Sequence, residues 1–327
     1  MDYIIKRKYV LFGIVMLLLF SCFSTTLQAE ETTINIICTN SALADFTSNL
    51  LTENVTIDYI MPAGVCPAQY DTTPSDVDKI ISADTLISFG SAKMEGWLGD
   101  LLHYNNNCSV IECSYMGEWN IPSGAKKYVE KILDELLLLL PTYNDTIQTN
   151  AQAYMAQINE TAEELQKKII DNGNLGKKVI CMEWQKDFIE WLGLNVTYFY
   201  GSENLLSVQD KLKVSDAASS GDICAVIDNL QSGTEFGAQI ASEAGASHII
   251  FTNFPEAVPG TSTYLEMITY NTNQLIDGIA TYEYKQGEIA KLENKLSTVE
   301  LERNASLLGL IILGLLTGTL AIIYKKK

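Results

Sequence analysis

The sequence predicts an α/β protein made of two strand–helix alternations, followed by a helical stalk and a transmembrane helix. Three observations predict it. Short runs rich in Ile, Val and Thr alternate with amphipathic stretches over residues 33–113, and again over 178–252. Between them, residues 143–171 carry Ile147, Ala151, Tyr154, Ile158, Leu165 and Ile169 at helical spacing. Beyond them, residues 307–324 form an apolar run without a charge.

At the N-terminus, Lys6-Arg7-Lys8, an apolar run over 9–20 and Leu27-Gln28-Ala29 read as a secretory signal peptide cut after Ala29. Leu19-Phe20-Ser21-Cys22 offers a competing lipoprotein cleavage box. The first alternation then runs in order. Residues 33–38 are strand-like, 41–51 are helical with Leu43, Phe46 and Leu50 on one face, and 55–61 are strand-like. A Pro/Gly turn and an irregular loop lead to a helix that opens at Pro74-Ser75-Asp76, where Ser or Asp caps the free N–H groups. Strands at 85–89 and 109–113 flank a helix at 97–102, and a helix over 125–140 stops at Pro141.

The stretch 143–171 makes a rod of roughly 40 Å, longer than one small lobe. After Asn172-Gly173-Asn174, strands are expected at 178–183, 196–199, 222–227 and 248–252. Helices are expected at 186–192, 205–217, 234–244 and 262–282. The stretch 284–304, rich in Glu, Lys and Leu, spaces Ile289, Leu292, Leu296 and Val299 by three or four. It reads as a stalk of about three heptads, which allows weak self-association as a short coiled coil. The apolar run that follows is long enough to cross a bilayer, and Lys325-Lys326-Lys327 place its end in the cytoplasm.

A hydrophobic content of 47% over 327 residues fills one large or two modest cores. The net charge is −18, and the stretch between signal and lysine tail carries about −23, which excludes nucleic acid as a partner. Six cysteines follow the signal: Cys38, Cys66, Cys108, Cys113, Cys181 and Cys224. An oxidising exterior permits disulfides, whereas the strand-like surroundings of Cys38, Cys108, Cys181 and Cys224 favour buried free thiols.

Met61–Asp76 reads MPAGVCPAQYDTTPSD, and the strand at 85–89 leads through Gly90 to Glu95-Gly96-Trp97-Leu98. This resembles the zinc/manganese receptor family of ABC importers, the cluster A-I substrate-binding proteins. Their loop reads roughly G-x-D-P-H-x-Y-x-x-T-P-S-D and their next strand leads to E-G-W-L. Gly64, Pro67, Tyr70, Thr73, Pro74, Ser75, Asp76 and 95–98 match; Tyr264, Leu265 and Asn271 match the closing helix. The resemblance covers roughly 31–283. It implies two Rossmann-like α/β lobes joined by one long backbone helix, a metal in the cleft between them, and an ABC permease with its ATPase as partners. The division that follows is signal peptide 1–29, N-terminal lobe 30–141, connecting helix 142–172, C-terminal lobe 173–283, stalk 284–306, transmembrane helix 307–324 and tail 325–327.

In such receptors two His from the first lobe and His or Glu plus Asp from the second hold the ion. By position, Ala68 stands for the first His, with Cys66 and Gln69 beside it. Gly117 stands for the second, between Met116 and Glu118; Met182, next to Cys181 and Glu183, stands for the third. Asn253 stands for the Asp, and Asp228 for an acidic position near the site. No member of the usual quartet is kept, and the chain's two histidines are His103 and His248. Three readings stay open. Cys66, Cys113, Met116, Cys181 and Met182 favour a soft ion such as Cu(I). Glu118, Glu183, Asp228 and Asn253 favour a harder divalent metal. Alternatively, the fold serves as a tethered interaction protein or takes a different ligand. Catalysis is not expected, since neither a G-x-S-x-G elbow nor a phosphate loop occurs.

Overall fold

The computed structural model describes residues 33–51, 54–114, 118–219 and 221–325. The readings of 1–29, Met116, Gly117 and the last two lysines therefore lie outside the described residues. The first lobe contains β1 (Ile34–Cys38), α1 (Ser41–Ser48), β2 (Val55–Tyr59), α2 (Pro74–Ser82), β3 (Thr85–Ser88), α3 (Leu98–Leu102) and β4 (Ser109–Glu112). Two helices follow, α4 (Pro122–Leu139) and the connecting α5 (Asn144–Asp171). The second lobe contains β5 (Lys178–Met182), α6 (Lys186–Trp191), β6 (Asn195–Tyr200), α7 (Val208–Ser219), β7 (Ala225–Asn229), α8 (Glu235–Ala244) and β8 (Ser247–Phe251). The last described element is α9 (Tyr264–Lys325).

Each lobe has one four-stranded parallel sheet, in the orders β2-β1-β3-β4 and β6-β5-β7-β8. Inner strands of such sheets are covered on both faces, and β3 and β7 are buried at every residue, their polar ends included. Edge strands keep one wet face, and β2 accordingly alternates, with Thr56 and Asp58 outward. In both lobes the strand order reverses between the first strand and the third. An open parallel sheet forms its binding crevice outside the carboxyl ends of its strands, at such a reversal.

The lobes share a core. Helix α5 is 28 residues long, about 42 Å. It buries Ile147, Ala151, Tyr154 and Ile158 in its first half and Leu165 and Ile169 in its second. One hydrophobic cluster runs from Ile36 and Phe46 through these residues to Val179 and Phe251.

The words of the first lobe that carry the resemblance are backbone devices. Thr73 precedes α2 with Pro74 at its first position. The Asp76 carboxylate accepts from the Thr73 N–H (2.7 Å), the Thr73 hydroxyl (2.9 Å) and the Tyr70 hydroxyl (2.7 Å). Glu95 is buried, and it accepts from the N–H groups of Phe89 (3.2 Å) and Gly90 (3.0 Å) where β3 ends. Burial holds its carboxyl above the usual carboxylate range. Glu95→Ala leaves both donors unpaired, so the urea midpoint is expected to fall by an amount equivalent to about 2–3 kcal/mol.

Helix starts move where capping decides them. The helix expected from 205 begins at Val208, because Ser207 Oγ accepts from the Asp210 N–H at 3.2 Å. The larger difference is at the end of the chain. The spacing separates a closing helix, a stalk and a span, yet all three are one helix of 62 residues, about 93 Å. No proline lies in it, and an interior glycine such as Gly287 costs only about 1 kcal/mol. The continuous backbone hydrogen-bond ladder carries the helix through.

Candidate functional site

A cavity of about 140 Å³ lies between the lobes. Every part of its lining follows the carboxyl end of a strand. The first lobe gives Cys66, Pro67 and Ala68 from the loop after β2, Lys93 and Met94 from the turn after β3, and Trp119 from the turn after β4. The second lobe gives Trp184 after β5, Asn229, Gln231 and Ser232 at the end of β7, and Asn253 and Phe254 after β8.

Trp119 is buried and forms one wall. Its ring stacks on Phe89 at 4.5 Å and on Phe254 at 5.6 Å, and its Nε1–H donates to the Asn253 carbonyl at 2.8 Å. The opposite floor is a chain of amides. Gln231 donates to the Ala63 carbonyl of the first lobe (2.8 Å) and to Thr252 Oγ1 (2.9 Å). Its Oε1 accepts from Asn229 Nδ2 (3.0 Å) and the Asn253 N–H (3.2 Å), and Gln185 donates to Asn253 Oδ1 (2.7 Å). Such a network holds the lobes in one relative position and adds no charge.

The positions carried over by resemblance divide. Cys66 and Asn253 line the cavity. Gln69 and Glu183 are exposed and off its wall, while Glu118 opens the short turn Glu118–Asn120. Met182 is buried on the other face of the sheet, where its sulfur accepts from the Asn229 N–H at 3.3 Å. Asp228 also sits on that face: strand side chains alternate, so Asn229 faces the cavity and Asp228 does not. Its carboxylate accepts from the Tyr200 hydroxyl at 2.6 Å and pairs with His248 Nε2 at 2.7 Å.

Cys113 and Cys181 are buried core thiols whose pKa values burial pushes up, and that of Cys38 is pushed up to about 12. No disulfide links these described cysteines. His103 ends α3, away from the cavity lining. Among the described residues, no three His, Cys, Asp or Glu side chains come together to hold an ion.

Lys93, Met94, Trp119, Trp184, Asn229 and Gln231 were not singled out by their sequence positions. One signal was available. Glu118-Trp119-Asn120 and Glu183-Trp184-Gln185 repeat a Glu-Trp-amide word after β4 and after β5. Both form single turns beside the cavity, and Asn120 Nδ2 donates to the Trp184 carbonyl at 3.2 Å.

The family model described as the periplasmic component A of the zinc-uptake complex, ZnuA, matches residues 36–278. The manganese-binding lipoprotein MntA of Halalkalibacterium halodurans is 23% identical over 76% of this chain and 89% of its own length. The iron ABC transporter substrate-binding lipoprotein MtsA of Streptococcus pyogenes serotype M1 is 24% identical over 84% and 99%. Both relatives are named for binding, not for an enzyme activity. In structure, the chain is similar to the Mn-bound periplasmic metal binding protein from Candidatus Liberibacter asiaticus, with a TM-score of 0.66 at 18% identity. That match covers 75% of this chain and 99% of that one. A ZnuA crystal structure gives 0.65 at 17% identity, over 76% and 99%. The family match spans well over half of the chain, and the chain therefore belongs to the ZnuA family of substrate-binding proteins of metal ABC transporters.

Proposed function

We propose that this chain is the extracytoplasmic receptor of an ABC importer, tethered by the end of α9, which hands a metal ion from the interlobe cavity to a permease and its ATPase. Two observations support the tether. The end of α9 is the one stretch of the described residues long and apolar enough to cross a membrane, and its leucines and isoleucines from Leu307 to Ile322 have no cover within the protein. The relatives MntA and MtsA are named as lipoproteins, which supports a membrane-held receptor.

The cargo reading rests on the donors in the cavity. Its described lining has two sulfurs, Cys66 and Met94, and no carboxylate or imidazole. A divalent ion would bring uncompensated charge against tryptophan, phenylalanine and neutral amides, at a cost of several kcal/mol. A monovalent ion on one thiolate forms a neutral pair. Thiolate with thioether favours Cu(I), and the ion displaces the thiol proton as it binds. This reading places the soft ion on Met94 in addition to Cys66, and leaves Met182 and Cys181 to packing.

The test uses the full chain in lipid nanodiscs, without oxygen and with a reductant, exposed to Cu(I), to Ag(I) as a redox-inert substitute, and to Zn²⁺ and Mn²⁺. About one Cu(I) or Ag(I) per chain and a raised melting temperature are expected. Cys66→Ser should weaken binding on the order of 100-fold, and Met94→Leu about tenfold, with the ion-free melting temperature unchanged in both. Retention of Zn²⁺ or Mn²⁺ that survives Cys66→Ser would overturn the sulfur-held cargo. Failure to retain any of the four ions would overturn the metal receptor.

A further inference from the structure

We propose that α9 carries a self-association face, continuous from the stalk into the span, whose occupant is a second copy of this chain. This rests on the membrane tether above and not on the identity of the cargo. In the stalk, Ile289, Leu292, Leu296 and Val299 are 47%, 65%, 61% and 53% exposed, and no other part of the described chain covers them. In the span, Gly314, Thr317, Gly318 and Ala321 recur at three- and four-residue spacing. At about 100° per residue, the two groups centre within about 10° of each other on the unbroken helix.

The groups suit different media. Water drives apolar stalk residues together, whereas in lipid it is small residues that let two helix backbones approach. Gly314 and Gly318 have open space where a Cβ would stand, and Thr317 satisfies its hydroxyl within its own helix through the carbonyls of Leu313 and Gly314, both at 3.0 Å. The face is therefore free for packing.

A second copy is the occupant that fits. One rigid helix sets every copy at the same depth and in the same direction, so identical seams meet in register, parallel, in water and lipid at once. In that alignment Lys295 lies opposite Glu300 of the other copy. Glu288, which would face Glu293 of the other copy, is already paired with Lys291 at 2.7 Å. Arg303 lies on the face between the two groups, one turn beyond Glu300.

The experiment counts subunits of the full chain in phosphatidylcholine vesicles by single-molecule photobleaching over a range of protein densities. Wild type should be dimeric. The pair Gly314→Leu with Gly318→Leu, and separately Leu292→Glu with Leu296→Glu, should each raise the dissociation constant at least about tenfold. Gly309→Leu, about 120° away and also in open space, should leave it unchanged. A monomeric wild type, or a dimer that neither pair weakens, overturns the proposal, and the face is then left for a different chain. A protein that does not enter the vesicles overturns the tether as well; one that enters and stays monomeric overturns only the self-association.

Discussion

Trp119→Ala is expected to remove about 3–5 kcal/mol of stability, the usual range for deleting a large buried aromatic. The ring is 2% exposed and stacked between Phe89 and Phe254, one from each lobe. Its indole N–H also satisfies the carbonyl of Asn253, so the alanine variant loses packing and leaves a buried acceptor unpaired. Urea unfolding followed by circular dichroism should show a lower midpoint with little change in slope. Trp119→Phe separates the two contributions. It keeps an aromatic wall and loses the hydrogen bond, so its loss should be nearer about 1–2 kcal/mol. Equal losses in the two variants would show that the stack adds nothing.

Gly237→Ala should cost a comparable amount, about 3 kcal/mol, for the addition of one methyl group. Its Cβ would stand 2.0 Å from Asp228 Oδ2 and 2.5 Å from Cγ. A flexible neighbour would move aside; Asp228 cannot. It is 1% exposed and fixed by Tyr200 and His248 on its two oxygens. Gly278→Ala meets a similar obstacle, with Ile249 Cδ1 at 2.5 Å and Cγ1 at 2.6 Å on a side chain that is itself buried. In a double-mutant cycle, Asp228→Ala should recover more than half of the Gly237→Ala loss. Strictly additive losses would mean that the backbone, and not the carboxylate, is what the methyl strikes.

Asp228 also shows where the sequence stops being readable. Buried parallel strands advertise themselves: residues 179–182 and 223–227 are apolar runs, and the strands lie there because both sheet faces need cover. Two lobes and a connecting helix were legible on that ground. Which residue of a strand end looks into the cleft is decided by one step of the pleat, and a one-residue shift reverses it. Asn229 and Gln231 face the cavity, while Asp228 and Met182, more suggestive as ligands, face the helices. The loops have no periodicity to betray Met94 or Lys93. Only the repeated Glu-Trp-amide turns left a trace in the sequence, and a trace of that kind is read by comparing the two halves of the chain, not by searching for metal donors.

The unbroken α9 would give the proposed tether a mechanical character. A flexible linker of the same 23 residues, 284–306, would let a receptor wander through a hemisphere and present its cleft at any angle. A helix holds its load about 35 Å from the end of the apolar run and turns with it as one piece. Were α9 anchored as proposed, the cleft would orbit at a fixed height, and its search for the proposed permease would reduce to rotation and lateral diffusion in a plane. Each encounter would be more frequent, but each would depend on the stalk having the right length. Inserting one residue would turn the lobes by about 100° about the helix axis, whereas a whole number of turns would mainly change their height.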